Sequence, residues 1–206
     1  MRQPDTHIIC LSVERHSDIM QELETSLEEH GWNYSLHAAR NGWKLKPKDW
    51  QRRSVTLTPH SKIVRQPGAQ GCLWSHMDLW ELCRSNKEPI IVLESDALCL
   101  KPWNESFAPE HDVVKLAYKF DTPRPNKRTG SWSPGATGYY ITPQGAAMLL
   151  DYVRGTSALE ADKLIGTSIV SWTHGARLFD INTKSYRRSS TRSINISDYE
   201  RLLYDK

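Results

Sequence analysis

The chain has 206 residues, of which 38% are hydrophobic and 25% charged, a composition typical of a globular protein with a substantial core. Its formal net charge of +3 is lower than that of most dedicated nucleic-acid-binding domains, which argues against a simple nucleic-acid binder. The apolar part of the N-terminus is too short for a signal peptide, and no run is long enough to span a membrane. We therefore expect one domain over residues 1–206, cytoplasmic and without a transmembrane segment.

Four cysteines occur in the sequence, and none of them forms a C-x-x-C pair. Three lie in apolar or helical runs, where cysteine behaves as a small hydrophobic residue. We expect reduced thiols, as is usual in cytoplasmic proteins. The four are Cys10, Cys72, Cys83 and Cys99.

The first forty residues show the pattern of a strand, a helix and a second strand. Residues 7–13 form a short apolar run, which predicts a buried strand. Ser17 occupies the position of a helix N-cap, and apolar side chains follow at helical spacing until Gly31 predicts the end of the helix. Residues 32–39 predict the second strand. This alternation predicts an α/β fold with a mostly parallel central sheet flanked by helices.

Residues 40–70 are polar, basic and interrupted by prolines. We expect them to form a long irregular excursion, of the kind that often serves as a lid or a binding loop. A second basic stretch lies in the tail at residues 183–206, which we expect to be only partly ordered. Such clusters either bind phosphate groups or form an ordinary solvated surface. The basic residues in question are Arg40, Lys44, Lys46, Lys48, Arg52, Arg53, Lys62, Arg65, Lys184, Arg187, Arg188 and Arg192.

The later helices and strands are predicted from apolar patterns and from the proline and glycine residues at their ends. Residues 71–85 predict a helix, and residues 90–93 form a continuous apolar run typical of a central strand buried on both faces. Further strands are predicted over residues 113–118, 135–142 and 177–181. Thr142 and Pro143 predict the start of a helix that ends at Gly155, and residues 161–170 are predicted to be helical in part. Residues 121–134, with three prolines and a glycine, predict a loop.

Two acidic residues directly follow the most apolar strand. Ligands of open α/β sheets bind beyond the carboxyl ends of the strands, and Glu94 and Asp96 are predicted to lie there. Burying two carboxylates is costly unless a cation accompanies them. A hard ion such as Mn²⁺ or Mg²⁺ binds oxygen ligands and bridges them to a diphosphate. Acids that only cap a helix or lie in a solvated turn would give the same pattern.

Two further segments carry polar or flexible residues at positions suited to ligands. Ser75 and His76 fall near the start of a predicted helix, where a phosphate group can be held. Gly135 and Gly138 permit close approach to the backbone. Each segment alone is equally typical of a structural histidine or an ordinary strand–turn–helix connection.

Taken together, these segments resemble glycosyltransferase family 25, which includes bacterial lipooligosaccharide galactosyltransferases and the galactosyltransferase domains that modify collagen hydroxylysine. Members of that family carry a G-C-x-x-S-H helix, an apolar strand ending in E-D-D, a G-x-x-G-Y strand and an acidic residue before a short helix. Here these are residues 71–76, 90–96, 135–150 and Asp162, and the resemblance covers residues 7–170. Ser95 replaces the middle acid of the E-D-D motif.

The resemblance implies a GT-A-like fold and an inverting, metal-dependent hexose transfer from a nucleotide-diphosphate sugar, such as a UDP-hexose. It implies a metal ion on Glu94 and Asp96 and a general base at Asp162, with Asp121 and His174 as further candidates for the base. The residues expected to bind the donor are Ser12, Arg15, Ser75, His76, Gly138 and Tyr139.

The acceptor is a hydroxyl group on a glycan or a lipid-linked sugar in this interpretation. One alternative keeps the chemistry but places the sugar on a hydroxymethylated DNA base, because the basic segments suit a nucleic-acid backbone. A second alternative is a catalytically inactive transferase-like binding module, which the substitution at Ser95 motivates.

Overall fold

The fold was obtained as a computed structural model that describes residues 3–11, 15–57, 63, 66–103, 111–117, 135–155, 158, 160–165 and 169–182. The predicted loop at 121–134, the basic tail at 183–206 and the candidates Ser12 and Asp121 lie outside these residues. Of His174 the backbone is described and the side chain is not. No helix in the described part of the chain combines the length and the apolar character needed to cross a membrane.

The described residues form seven strands and five α-helices. The strands are β1 (Asp5–Cys10), β2 (Ser35–Ala38), β3 (Ile90–Glu94), β4 (Ala97–Cys99), β5 (Val113–Ala117), β6 (Gly138–Ile141) and β7 (Trp172–Ile181). The helices are α1 (Asp18–Glu29), α2 (Pro47–Arg52), α3 (Pro67–Asn86), α4 (Pro143–Gly155) and α5 (Ala161–Leu164), and a 3₁₀ turn spans Gly42–Lys44.

All seven strands belong to one sheet, in the order β2-β1-β3-β6-β5-β7-β4. Strands β1, β2, β3, β5 and β7 run in one direction, which confirms the α/β fold and the mostly parallel strand direction. Strands β6 and β4 run the opposite way, so half of the six pairings are antiparallel and the sheet is mixed. An apolar run identifies a buried strand but carries no information on its direction.

The sheet separates two apolar clusters, and neighbouring residues of a strand enter opposite ones. Ile8 packs on the side of α1, whereas Ile9 packs on the side of α3 and α4. Strand β3 does the same, with Ile91 and Leu93 on the first side and Val92 on the second. This alternation with a period of two explains why the central strands are apolar throughout.

The predicted helix boundaries rest on side-chain caps that the structure contains. The hydroxyl of Ser17 accepts a hydrogen bond from the backbone N–H of Met20 at 3.2 Å. The hydroxyl of Thr142 accepts one from Gly145 at 3.0 Å. Such caps satisfy backbone donors that a helix leaves free at its first turn. Gly31 follows α1 with a φ of 69°, a conformation that glycine adopts without strain.

The segment predicted to be an irregular excursion contains regular structure. The 3₁₀ turn and α2 lie within it, and the start of α3 replaces its last residues. The backbone of Gly42 packs directly on α3: a Cβ atom on Gly42 would lie 1.7 Å from the carbonyl oxygen of Pro67. A Cβ atom on Gly71 would lie 2.2 Å from the carbonyl oxygen of Arg40. Two glycines therefore let two backbones touch.

Ion pairs hold the same segment against α3. Asp78 binds Arg40 at 2.9 Å and also pairs with Arg53, and Arg53 reaches Glu81 at 2.9 Å. The guanidinium group of Arg53 also lies 4.4 Å from the ring centre of Trp74. Two cations of the basic cluster are thus neutralised within the protein.

Candidate functional site

The site lies at the edge of the sheet where β1, β2, β3 and β5 end. Glu94 is the last residue of β3 and pairs with Ile9 of β1. Its backbone N–H donates to the carbonyl of Thr137, just before β6, at 2.9 Å. Because β6 runs antiparallel to β3, the start of β6 and the end of β3 meet at this edge. The sheet thus brings the E-S-D and G-x-x-G-Y segments together.

Glu94 is surrounded by hydrogen-bonding groups from α3 and from the segment before β6. Its Oε1 atom lies 3.5 Å from Sγ of Cys72 and 3.4 Å from Nε2 of His76. The side chain of Thr137 also donates to Glu94. Burial favours the neutral acid, but hydrogen bonds from His76, Cys72 and Thr137 outweigh it and bring the pKa of Glu94 below its ordinary value. Glu94 is therefore an ionised carboxylate with a fixed position.

His76 is itself held by two aromatic residues. Its Nδ1 atom lies 2.7 Å from the hydroxyl of Tyr139, and Nε1 of Trp80 donates to the same hydroxyl at 2.9 Å. All three side chains are fully buried. When the Tyr139 hydroxyl donates to Nδ1, Nε2 of the neutral His76 carries the hydrogen that faces Glu94, and every group in the series has a partner. The series Trp80–Tyr139–His76 thus orients Glu94.

Asp96 lies in the turn between β3 and β4. Its backbone carbonyl accepts a hydrogen bond from Asn182 at 2.7 Å, which fastens the turn to the end of β7. Burial, followed by the charges of Glu94, Asp162 and Asp96, raises the pKa of Cys72 well above its ordinary value. The thiol therefore stays protonated in the metal-free protein. The charges of all three predicted acids act on the pKa of Cys72.

Asp162 comes to the same edge from the far end of the chain. It is half-buried in the first turn of α5, and α5 packs against α3. Burial, then the charges of Glu160 and Glu94, raise the pKa of Asp162 above its ordinary value. The influence of Glu94 on this pKa means that the two carboxylates are near one another.

Lys115 is a buried cation at this site that none of the sequence motifs includes. This lysine lies in β5 between β6 and β7, pairs in register with Tyr139, and is 2% exposed. Burial lowers the pKa of Lys115 to about 7, while the charge of Asp162 opposes that shift. A lysine inside the otherwise apolar run VVKLA is the signal that could have identified it, because a buried lysine is rare without a partner.

The residues predicted to bind the donor have several different environments. The buried hydroxyl of Ser75 donates to the Gly71 carbonyl at 2.7 Å and accepts from the Arg40 N–H at 2.8 Å. A Cβ atom on Gly138 would lie 3.0 Å from Cβ of Ala117, so Gly138 serves close packing of β6 on β5. Both residues therefore contribute to the internal packing of the fold, and their contact with a donor stays a prediction.

The remaining donor candidates divide into buried and exposed positions. His76 and Tyr139 act on Glu94 from within the core, as described above, rather than from the surface. Arg15 is exposed in the turn after β1, at the same edge of the sheet as Glu94. Among the described donor candidates, Arg15 is the one with a side chain open to a ligand.

Two open surface depressions, of about 560 and 470 Å³, lie away from these groups. One lies along α1 beside Leu98 of β4, and the other is at the amino ends of β1 and β2. Neither is lined by Glu94, Asp96 or Asp162. The three predicted acids therefore lie at the carboxyl edge of the sheet and not at these depressions.

Comparison with solved structures identifies the class of fold. A galactosyltransferase, LgtC, in complex with donor and acceptor sugar analogues superposes with a TM-score of 0.51 at 8% sequence identity, covering 96% of this chain and 82% of that one. An active-site mutant of LgtC gives a TM-score of 0.52 at 8% identity, covering 98% of this chain and 95% of that one. The chain thus has the GT-A-like fold of glycosyltransferases.

The family follows from the sequence. Residues 5–120 match the model of glycosyltransferase family 25, described as an LPS biosynthesis protein family. The chain belongs to this family and is accordingly a transferase. No curated protein sequence matches it significantly.

Proposed function

We propose that the chain transfers a hexose from a nucleotide-diphosphate sugar, of the UDP-hexose type, to a hydroxyl acceptor with inversion at the anomeric carbon. The observation that carries this proposal is that Glu94 and Asp96, which follow β3, and Asp162, which begins α5, act on the same thiol of Cys72 at one edge of the sheet. In an open α/β sheet this edge is where ligands bind.

Glu94 and Asp96 are the residues that would hold a divalent cation. The hydrogen bonds to Glu94 keep it ionised and fixed, as a metal ligand must be, and Asp96 follows it in the next turn. Oxygen ligands of this kind suit Mn²⁺ or Mg²⁺. A bound cation of this type neutralises negative charge on a departing diphosphate. The pair remains although Ser95 replaces the acid between them.

Asp162 is the proposed general base. Its raised pKa makes it a better proton acceptor near neutral pH than an ordinary aspartate. The acceptor hydroxyl gives its proton to the Asp162 carboxylate while its oxygen forms a bond to the anomeric carbon. The bond between that carbon and the phosphate oxygen breaks on the opposite face, and the electron pair leaves with the nucleoside diphosphate. One displacement of this kind inverts the anomeric configuration.

Arg15 is the proposed contact for the donor phosphates. Its exposed guanidinium group is available to pair with phosphate oxygens at the same edge of the sheet. The expectation for Ser12 stays a prediction from the sequence.

The test is the release of free nucleoside diphosphate from a panel of nucleotide sugars, with and without Mn²⁺. We expect release from at least one donor, dependent on the metal and faster with a hydroxyl acceptor present. Absence of release from every donor at saturating Mn²⁺ would contradict the proposal and favour the inactive binding module.

The DNA acceptor is less favoured by the charges. In the described part of the basic cluster, Arg40 and Arg53 pair with Asp78 and Glu81, and Arg52 lies 3.8 Å from Asp49. Arg40 and Arg53 are therefore less available to neutralise phosphates along a duplex, whereas Arg52, Lys44, Lys46 and Lys48 of the same cluster are exposed. Salt-sensitive retention on DNA would restore this acceptor.

A further inference from the structure

Three different metal-binding groups meet beside the carboxylate pair. Cys72 and His76 are four residues apart on α3, which places them on the same face of the helix, and Glu94 ends the adjacent strand β3. One ligand atom from each, the thiol sulfur, an imidazole nitrogen and a carboxylate oxygen, all lie within 4.8 Å of one another. We call these residues the Cys72–His76–Glu94 cluster.

The contacts within the cluster have the spacing of metal ligands. The Nε2 atom of His76 and the Sγ atom of Cys72 lie 3.4 Å and 3.5 Å from Oε1 of Glu94. The His76 hydrogen bond is long beside the usual length of about 2.9 Å for an N–H···O bond, whereas 3.5 Å is ordinary for a thiol donor. With zinc bonds of about 2.0–2.3 Å in a tetrahedron, neighbouring ligand atoms lie roughly 3.3–3.7 Å apart. The 3.4 Å and 3.5 Å separations fall in that range.

The surroundings of the cluster also suit a metal. In metal sites the second ring nitrogen of a histidine usually bonds to a fixed oxygen, which orients the ring. Here Nδ1 of His76 bonds to the hydroxyl of Tyr139 at 2.7 Å, leaving Nε2 toward Glu94. Glu94 remains 28% exposed, so a fourth position can open toward solvent.

We propose that the Cys72–His76–Glu94 cluster binds a zinc-type ion, as distinct from the hard cation proposed at Glu94 and Asp96. A thiolate, an imidazole and one carboxylate form a set of ligands that Zn²⁺ or Co²⁺ prefers to Mg²⁺ or Mn²⁺. Binding releases the Cys72 proton to solvent and forms the metal–sulfur bond, while the His76 hydrogen moves from Nε2 to Nδ1, where it is donated to the Tyr139 hydroxyl, so that the Nε2 lone pair binds the metal. Glu94 belongs to both sets, so, if the proposed function holds, a zinc-type ion displaces the hard cation and inhibits transfer.

The test is a titration of the full chain with Co²⁺ under reducing conditions, read by absorption spectroscopy. A thiolate bound to Co²⁺ gives a charge-transfer band in the near ultraviolet, and tetrahedral Co²⁺ gives intense visible bands. We expect both bands to appear in the native chain, to be removed by Zn²⁺, and to survive excess Mg²⁺. Absence of the charge-transfer band in the native chain would overturn the proposal.

Two variants assign the band to this cluster. Cys72→Ser is expected to lose it, whereas Cys99→Ser, which changes another free cysteine that bonds a backbone carbonyl, is expected to keep it. Persistence of the band in Cys72→Ser would contradict the assignment.

The role of His76 is tested with Tyr139→Phe, which is expected to weaken Co²⁺ binding by about 10–100-fold, as loss of a supporting hydrogen bond does. Unchanged affinity in that folded variant would count against His76 as a ligand.

The result does not depend on catalysis. Asp96→Ala is expected to retain the cobalt spectrum, because Asp96 is outside the cluster. A native chain that shows the spectrum but releases no nucleoside diphosphate would support the zinc-type site and contradict the proposed transferase reaction. A native chain that releases nucleoside diphosphate with Mn²⁺ but shows no thiolate band would support the proposed transferase reaction and contradict the zinc-type site.

Discussion

The imidazole Nδ1 atom of His76 lies 2.7 Å from the hydroxyl of Tyr139, although the two residues are 63 positions apart in the chain. The ring of Tyr139 also stacks on that of His76, with centroids 5.7 Å apart. This contact joins α3 to β6 beneath the site, and through His76 it reaches Glu94. The family motifs G-C-x-x-S-H and G-x-x-G-Y therefore act together, as the support of the acidic residue.

Replacing Tyr139 by Phe is expected to destabilise the fold by about 1–3 kcal/mol, because the buried Trp80 N–H and His76 Nδ1 lose their shared partner. Urea unfolding measures the change. In a double-mutant cycle with Trp80→Phe, we expect a coupling of about 0.5–3 kcal/mol. Strictly additive effects would show that the hydroxyl does not link the two residues.

Replacing Gly42 by Ala is expected to cost about 1–3 kcal/mol or more, because the new methyl group would overlap the Pro67 carbonyl. The matched control is Gly155→Ala, since a Cβ atom there meets no atom within 4 Å. We expect the control to be neutral or to stabilise the fold by less than about 1 kcal/mol. Thermal melts of both variants compare them directly, and equal behaviour would contradict the packing of the 3₁₀ turn on α3.

Replacing Lys115 by Met is expected to change how stability depends on pH. Burial lowers the pKa of Lys115 from 10.5 to about 7, so between these values the unfolded chain binds a proton that the folded chain lacks. The contribution of Lys115 to stability therefore rises with pH in this window, by about 1.4 kcal/mol per pH unit at most. Well below pH 7, the native chain carries the full penalty of the buried ammonium group.

The measurement is urea unfolding of the native chain and Lys115→Met at pH 7, 8 and 9. We expect the advantage of the variant to shrink as the pH rises. The exposed Lys163→Met should track the native chain at every pH, within about 0.5 kcal/mol. A constant difference between the native chain and Lys115→Met would mean that Lys115 is charged in the folded state throughout.

Replacing Asp162 by Asn is expected to leave donor binding intact and to abolish transfer, because the amide cannot accept the proton of the acceptor hydroxyl. In the native enzyme the rate should fall with decreasing pH at a pKa above the ordinary 3.8 of aspartate. Steady-state kinetics with the responsive donor measures both. Asp151→Asn changes an exposed aspartate on α4 and should transfer normally. Normal transfer by Asp162→Asn would assign the base elsewhere.

The sequence predicted elements whose signals are local. Helix α1 has its cap at Ser17 and a regular apolar spacing, and β3 is an uninterrupted apolar run, so both were identified. Helix α2 has no such signal because it is only six residues long and carries charges, and its buried Trp50 packs on Trp74 of α3. That contact joins residues from two different helices and leaves no periodic pattern in the sequence.

The site was predictable in part for the same reason. The acids at Glu94, Asp96 and Asp162 stand out as polar residues that follow apolar strands or begin a helix, and the structure brings them together. The hydrogen bond of Ser75 is made to the backbone of Arg40, and the close packing at Gly138 is against Ala117 in a neighbouring strand. Such long-range packing is not encoded in the local motif, and neither is the proximity of Lys115 to Asp162.

The most direct test of the central claim is calorimetric titration of UDP into the native chain and into Asp96→Ala, each with and without Mn²⁺. If Glu94 and Asp96 hold a cation that anchors the diphosphate, UDP binds the native chain only when Mn²⁺ is present, and Asp96→Ala loses this binding while its melting curve stays native-like. Metal-independent binding of UDP with equal affinity to both proteins would contradict the account.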